Sequence, residues 1–156
     1  MKQLNWAVLG TGVIANEMAQ ALQKQGKSLY SVGNRTYEKA VAFGEQYGIS
    51  KVYTDFQQIF TDPEVDAIYI TTPHNTHREF MEMAIENGKH ILVEKSITLN
   101  SKELDEMIHL ADKKGVVIAE AMTIYHMPIY QKLKEIIQSG KIGKVNLITI
   151  NFGSLK

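Results

Sequence analysis

Apolar and polar positions along the chain alternate between two periods. Short apolar runs read as buried parallel strands: Trp6-Ala7-Val8-Leu9, Leu29 to Gly33, Ala67-Ile68-Tyr69-Ile70, His90-Ile91-Leu92-Val93 and Val116-Val117-Ile118-Ala119, with a shorter one around Val52-Tyr53. Between them the apolar residues recur at helical spacing. The first helix runs from about Val13 to Gln25, with Ile14, Met18, Ala21 and Leu22 inward. Thr36 caps the next, which turns Ala40, Phe43 and Tyr47 inward. A short helix after Asp55 carries Phe56, Ile59 and Phe60; Asn75 caps one that buries Phe80, Ala84 and Ile85. Asn100 and Glu103 form a capping box before a helix that turns Leu104, Met107, Ile108 and Ala111 inward. Gly26, Gly48, Gly88 and Gly115 stop these helices. A last helix holds Ile129, Leu133, Ile136 and Ile137, and Val145 to Phe152 reads as one more strand. Strand–helix alternation of this kind predicts an α/β fold with a doubly wound parallel sheet.

Candidate chemistry sits at the ends of the strands, where open parallel sheets bind ligands. The first strand runs into Gly10-Thr11-Gly12-Val13-Ile14-Ala15 and then directly into a helix. This is a Gly-x-Gly-x-x-Ala turn in the strand–helix context of a dinucleotide fingerprint. Gly10 permits the tight turn, Gly12 lets a pyrophosphate approach the backbone, and Ala15 lets the helix lie against the strand. The first N–H groups of that helix and its dipole face the phosphates. The plainer alternative is a turn that only needs small residues.

The second strand ends at Asn34-Arg35-Thr36. Dinucleotide sites for NAD place an acid there to hold the ribose hydroxyls. A guanidinium in its place suits a phosphate, so the sequence favours NADP, with NAD as the other candidate. Lys39, one helical turn on, adds a second positive charge. Gly26-Lys27-Ser28 matches only the tail of a P-loop, because Ala21 occupies the position of the required earlier glycine. Arg35 also argues against an S-adenosylmethionine site, which wants an acid at that strand end.

The fourth strand delivers Thr72-Pro73-His74-Asn75-Thr76-His77 to the same edge, and the fifth delivers Glu94-Lys95-Ser96. His74 and His77 lie three apart without a third ligand pattern, so no metal site is expected; His77 caps a helix or lines the cleft. Glu94 and Lys95 are two ionised groups at the end of a buried strand, read either as functional or as an ion pair at the sheet rim.

Composition narrows the classes. The chain has 156 residues and 17 basic against 17 acidic side chains, so net charge suggests neither nucleic acid nor a membrane surface as partner. It has no cysteine, which excludes disulfides and thiolate chemistry. No signal peptide or bilayer-spanning run is legible, and the expectation is a soluble cytoplasmic protein.

Taken together, Gly10 to Ala15, Asn34-Arg35-Thr36, Thr72-Pro73-His74-Asn75-x-His77, Gly88-Lys89-His90-Ile91-Leu92-Val93-Glu94-Lys95, Glu120-Ala121-Met122 and Gly140-Lys141-Ile142-Gly143-Lys144-Val145 resemble the Gfo/Idh/MocA oxidoreductases. The resemblance covers essentially the whole chain, and the Glu-Ala-Met stretch looks closest to the dihydrodiol and xylose dehydrogenase branch. It implies a Rossmann domain over residues 1–143. Residues 144–156 would then be the first strand of a second α/β domain, here truncated, that completes the substrate site and makes the full-length enzyme a homo-oligomer. It implies that Gly10, Thr11, Gly12, Val13 and Ile14 hold the pyrophosphate, and that Asn34, Arg35 and Lys39 hold the adenosine end. Thr72, Pro73, Asn75, His77 and Met122 complete the cofactor cleft, and Glu94 meets the nicotinamide ribose. Lys95 matches the family's active-site lysine and also belongs to the cofactor set. Ser96 departs from the family pattern, which has proline there, and makes the aim of Lys95 less defined. The implied function is hydride transfer between NADP and a sugar, polyol or related alcohol. The alternative is a dinucleotide-binding or sensing module without turnover.

Overall fold

Among the described residues, six strands form, at Trp6–Leu9 (β1), Ser31–Gly33 (β2), Lys51–Val52 (β3), Ala67–Ile70 (β4), His90–Val93 (β5) and Ile118–Glu120 (β6). All pair in parallel, in the order β3-β2-β1-β4-β5-β6. Helices at Val13–Gln23 (α1), Tyr37–Tyr47 (α2), Gln58–Thr61 (α3), His77–Glu86 (α4) and Ser101–Lys114 (α5) make the crossovers. The expected doubly wound α/β fold is the observed one. It appears in a computed structural model that describes residues 4–151 and Gly153. The chain divides into two compact units, Met1–Ala121 and Met122–Lys156; the sheet lies in the first.

Successive strand residues face opposite sides, so one sheet builds two cores. Val8, Val32 and Tyr69 pack with Ala15, Ala19, Phe43 and Tyr47 under α1 and α2. Leu9, Ile68, Ile70 and Val93 pack with Ile59, Phe60, Met81 and Ile85 under α3 and α4. Ile59 and Phe60 are fully buried, each contributing about 1.5–3 kcal/mol of apolar burial.

The inward stripe of α1 differs from the expected one. Ala15 and Ala19 are buried, with Met18 and Leu22 packed beside them, whereas Ile14 is 37% exposed and Ala21 faces out. Two alanines bring the helix close to β1, and its first turn stands out at the sheet edge. Ile108 of α5 is likewise exposed, because the contact with the core runs through Met107 and Ala111.

Within the second unit, a 3₁₀ turn at Thr123–His126 precedes a helix at Pro128–Gln138 (α6), with proline at its start. No residue of α6 is buried, and its apolar Ile129, Leu133 and Ile137 are exposed. Residues 145–151 carry no strand, and Leu147, Ile148 and Ile150 are exposed. A strand exists through its ladder, and none among the described residues pairs here. Phe152, the end of the expected strand, lies outside the described residues.

Candidate functional site

The strand ends converge on a cleft of about 570 Å³. Its floor is the turn between β1 and α1. Gly10 has φ +105°, and a Cβ there would lie 2.5 Å from Thr71 Oγ1, so only glycine fits. The Gly10 N–H donates to the Gly33 carbonyl and the Thr71 N–H to the Leu9 carbonyl, each at 2.9 Å. These bonds tie the turn to β2 on one side and β4 on the other. A Cβ at Gly12 would meet nothing within 4 Å. No side chain caps α1, and its first turn holds no acid. Asn16 Nδ2 donates to the carbonyls of Gly12 (2.8 Å) and Thr11 (3.3 Å), and Tyr47 supports Asn16 Oδ1 at 2.7 Å. The carbonyls of the turn are thereby engaged from below, leaving the amide end of α1 facing the open side.

The β2 end forms one wall. Asn34 Nδ2 donates to Thr11 Oγ1 at 2.5 Å, and Asn34 Oδ1 accepts from the Thr36 N–H at 2.9 Å. Thr36 occupies the cap position of α2, but its side chain makes no cap bond. Asn34 instead organises the turn, as Asn does by bonding backbone two residues on. Arg35 and Lys39 are exposed, and they are the charged side chains lining the cleft. Both are cationic. Thr72, Pro73 and Asn75 line it from the loop after β4, where Thr76 Oγ1 bonds Thr72 Oγ1 at 2.8 Å. Asn75 sits in a 3₁₀ turn at His74–Thr76, so Thr76 rather than Asn75 holds the cap position of α4.

His77 is fully buried. Its ring nitrogens lie 2.9 Å from the carbonyls of Thr72 and Ser96, so it bridges the loop after β4 to the segment after β5. Lys95 is exposed at the end of β5, and the Lys95–Ser96 peptide bond is cis. The Ile97 N–H donates to Glu120 Oε1 at 2.9 Å, holding the same segment from β6. Glu94 is half-buried and accepts from the Tyr69 hydroxyl at 2.5 Å. Burial, then the Glu94 bond and the carboxylates of Glu94 and Glu17, push the Tyr69 hydroxyl far above the usual tyrosine range, which keeps it a donor.

Open space over Gly12, an uncapped helix N-terminus and two cations at the β2 end suit a dinucleotide phosphate group. Residues 4–122 match the family model described as an oxidoreductase family with an NAD-binding Rossmann fold, GFO_IDH_MocA. The chain belongs to this family. It is 32% identical over 152 residues to trans-1,2-dihydrobenzene-1,2-diol dehydrogenase of Xenopus laevis, covering 96% of this chain and 46% of that protein. It is 31% identical to the NADP(+)-dependent scyllo-inositol 2-dehydrogenase of Bacillus subtilis, covering 96% and 45%. The chain thus spans about half the length of the relatives it matches. Among solved structures, an NAD binding oxidoreductase from Klebsiella pneumoniae superposes with TM-score 0.81 at 29% identity, over 90% of this chain and 40% of that one. The 3-ketoreductase KijD10 from Actinomadura kijaniata, solved with NADP and TDP-benzene, gives 0.82 at 23% over 89% and 43%, a likeness of fold.

In this GFO_IDH_MocA domain, the cleft gathers Gly10, Thr11, Gly12, Asn34, Arg35, Lys39, Thr72, Pro73 and Asn75 of the residues the sequence singles out. Val13 and Ile14 stand exposed at the start of α1, and Glu94 and Lys95 lie at the end of β5, outside the cleft lining. His77, expected to cap a helix or line the cleft, is buried beneath the surface and is not part of the cleft lining. Met122 belongs to the second unit. The cleft also holds residues that sequence reasoning passed over: Thr71, Thr76 and the aromatic pair Phe56 and Phe80, whose rings meet edge to face at 5.6 Å. Phe56 and Phe80 carried only a core signal, since apolar periodicity does not separate a core ring from a cleft wall. Among the described residues, no group of three or more acidic or histidine side chains is placed to hold a metal. No helix among them is long and apolar enough to cross a membrane.

Proposed function

We propose that the first unit binds NADP(H), and that the protein moves a hydride between the nicotinamide and a sugar, polyol or related alcohol. The observation that carries this reading is the cleft itself. Its open glycine turn accepts a pyrophosphate, and its charged lining, Arg35 and Lys39, is purely cationic at the strand end where an NAD site keeps an acid. Gly10 to Ile14 seat the pyrophosphate through backbone and helix dipole. Asn34 shapes the β2 turn, while Arg35 and Lys39 meet the 2′-phosphate. Thr72, Pro73 and Asn75 form the facing wall, and His77 holds that wall against the Lys95 segment. When bound, the nicotinamide supplies the hydride donor or acceptor. Lys95 stabilises charge on the reacting oxygen of the alcohol or carbonyl, or hands it a proton. The named activities of the relatives, on a dihydrodiol and an inositol, support an alcohol as substrate.

A fluorescence titration with NADPH tests the reading, followed by an absorbance screen of sugars and polyols with NADP. Saturable binding of NADPH, tighter than of NADH, is expected. A protein that binds neither dinucleotide would contradict it.

A further inference from the structure

We propose that Tyr69 is a positioning residue: it holds the carboxylate of Glu94, which lies beside the cleft lining at the end of β5 and which the family resemblance sets against the nicotinamide ribose, ready to accept from the ribose hydroxyls. The inference rests on the dinucleotide reading above and assigns a role to a buried tyrosine that reading leaves unused.

Strand order locates the two halves of the ligand. β2 lies on one side of β1; β4 and β5 lie on the other. With the pyrophosphate over the β1–α1 turn and the phosphate-seeking Arg35 at the end of β2, the other half of a dinucleotide runs toward the ends of β4 and β5. Glu94 is the first residue past β5, and its N–H donates to the Ile70 carbonyl at 3.0 Å, which fixes its backbone. Tyr69 and Leu92 are register partners, and Glu94 is two residues beyond Leu92, so it shares the α1 face with Tyr69.

The chemistry follows from the donor inventory. A carboxylate only accepts, so it repels phosphate and accepts hydrogen bonds from hydroxyls. A ribose offers two such hydroxyls. One oxygen, Oε1, already accepts from Tyr69, whose ring is 4% exposed and anchored in the core under α1. An unheld glutamate at a strand end loses rotamer freedom when a ligand fixes it. The bond to an immobile tyrosine removes that freedom beforehand, so it strengthens ligand binding through preorganisation.

The test is calorimetry on this chain with two probes: NADPH, and adenosine 2′,5′-bisphosphate, which lacks the nicotinamide riboside. Tyr69→Phe should weaken NADPH about three- to tenfold and leave the bisphosphate unchanged. In a Glu94→Ala background the same change should have no further effect on NADPH, since Tyr69 acts through Glu94. Equal weakening of both probes, no weakening of NADPH, or a full loss persisting in the Glu94→Ala background overturns the proposal. Should Tyr69→Phe fail to fold, Glu94→Asp, whose carboxylate is one methylene short of the hydroxyl, must show the same selective loss; unchanged NADPH affinity there overturns it equally. A wild-type chain that binds the bisphosphate but not NADPH removes Tyr69 and Glu94 from ligand binding. One that binds neither removes the dinucleotide reading itself.

Discussion

Asn34 joins the end of β2 to the glycine turn by a single 2.5 Å bond to the hydroxyl of Thr11, while its other amide atom accepts from the Thr36 N–H. One side chain therefore sets the spacing between the glycine-turn floor of the cleft and its Arg35 wall. Asn34→Ala should weaken NADPH and NADH alike, by about 1 kcal/mol, because it disturbs the shared frame and not the phosphate contact. Paired titrations of the two cofactors check this; a loss confined to one of them would contradict it.

The two glycines of the turn should part company when each is changed to alanine. Gly10→Ala forces a side chain into a positive φ and against Thr71, and should cost about 1–3 kcal/mol of folding stability. Gly12→Ala meets nothing within 4 Å, and should fold nearly as the parent does while losing dinucleotide affinity. Urea melts and binding curves on both variants read the difference.

Acid sensitivity should centre on Asp62. It is buried, which works against ionisation, but bonds from Lys51 (2.6 Å), the Tyr53 hydroxyl (2.5 Å) and the Glu64 N–H (3.0 Å) outweigh burial and hold its carboxyl below the ordinary aspartate value of 3.8. A folded-state value below the unfolded one means that the stabilisation is complete above the unfolded value. It is lost as pH falls through the folded one. Asp62→Asn should therefore lower stability at neutral pH by about 2 kcal/mol and flatten the stability–pH curve below about pH 4. Thermal melts from pH 7 down to pH 3 check both.

Lys95 is exposed at the end of β5, with its segment held by His77 on one side and Glu120 on the other. In a protein carrying this chain at the full length of its relatives, Lys95→Met should remove turnover and leave cofactor affinity nearly intact. An unchanged kcat would defeat the role proposed for it.

The glycine turn, the Arg35 position and the strand–helix alternation were legible in the sequence because each is written in consecutive residues. Gly10 and Gly12 follow their strand closely, and Arg35 lies just past the end of the next one. His77 was not legible as a brace: its partners are the carbonyls of Thr72 and Ser96, and only the packing of β4 beside β5 brings Ser96 within reach. The Tyr69–Glu94 bond was hidden for the same reason, since it spans adjacent strands. Ile14 and Ile108 were misread because a helical repeat gives a stripe wider than the contact beneath it. Two alanines in α1 and the Met107–Ala111 line in α5 decide which part of the stripe is buried. Residues 145–151 show strand alternation and no ladder, because alternation marks a residue's fitness for a strand and pairing depends on a neighbour.

The central claim is that Arg35 reads a 2′-phosphate, and calorimetric titration of the parent and Arg35→Ala with NADPH and NADH tests it most directly. The parent should bind NADPH more tightly. The variant should lose about 1.5–3 kcal/mol toward NADPH, the worth of a charge-assisted contact, and much less toward NADH. Equal losses for the two cofactors, or a parent that prefers NADH, would contradict the account.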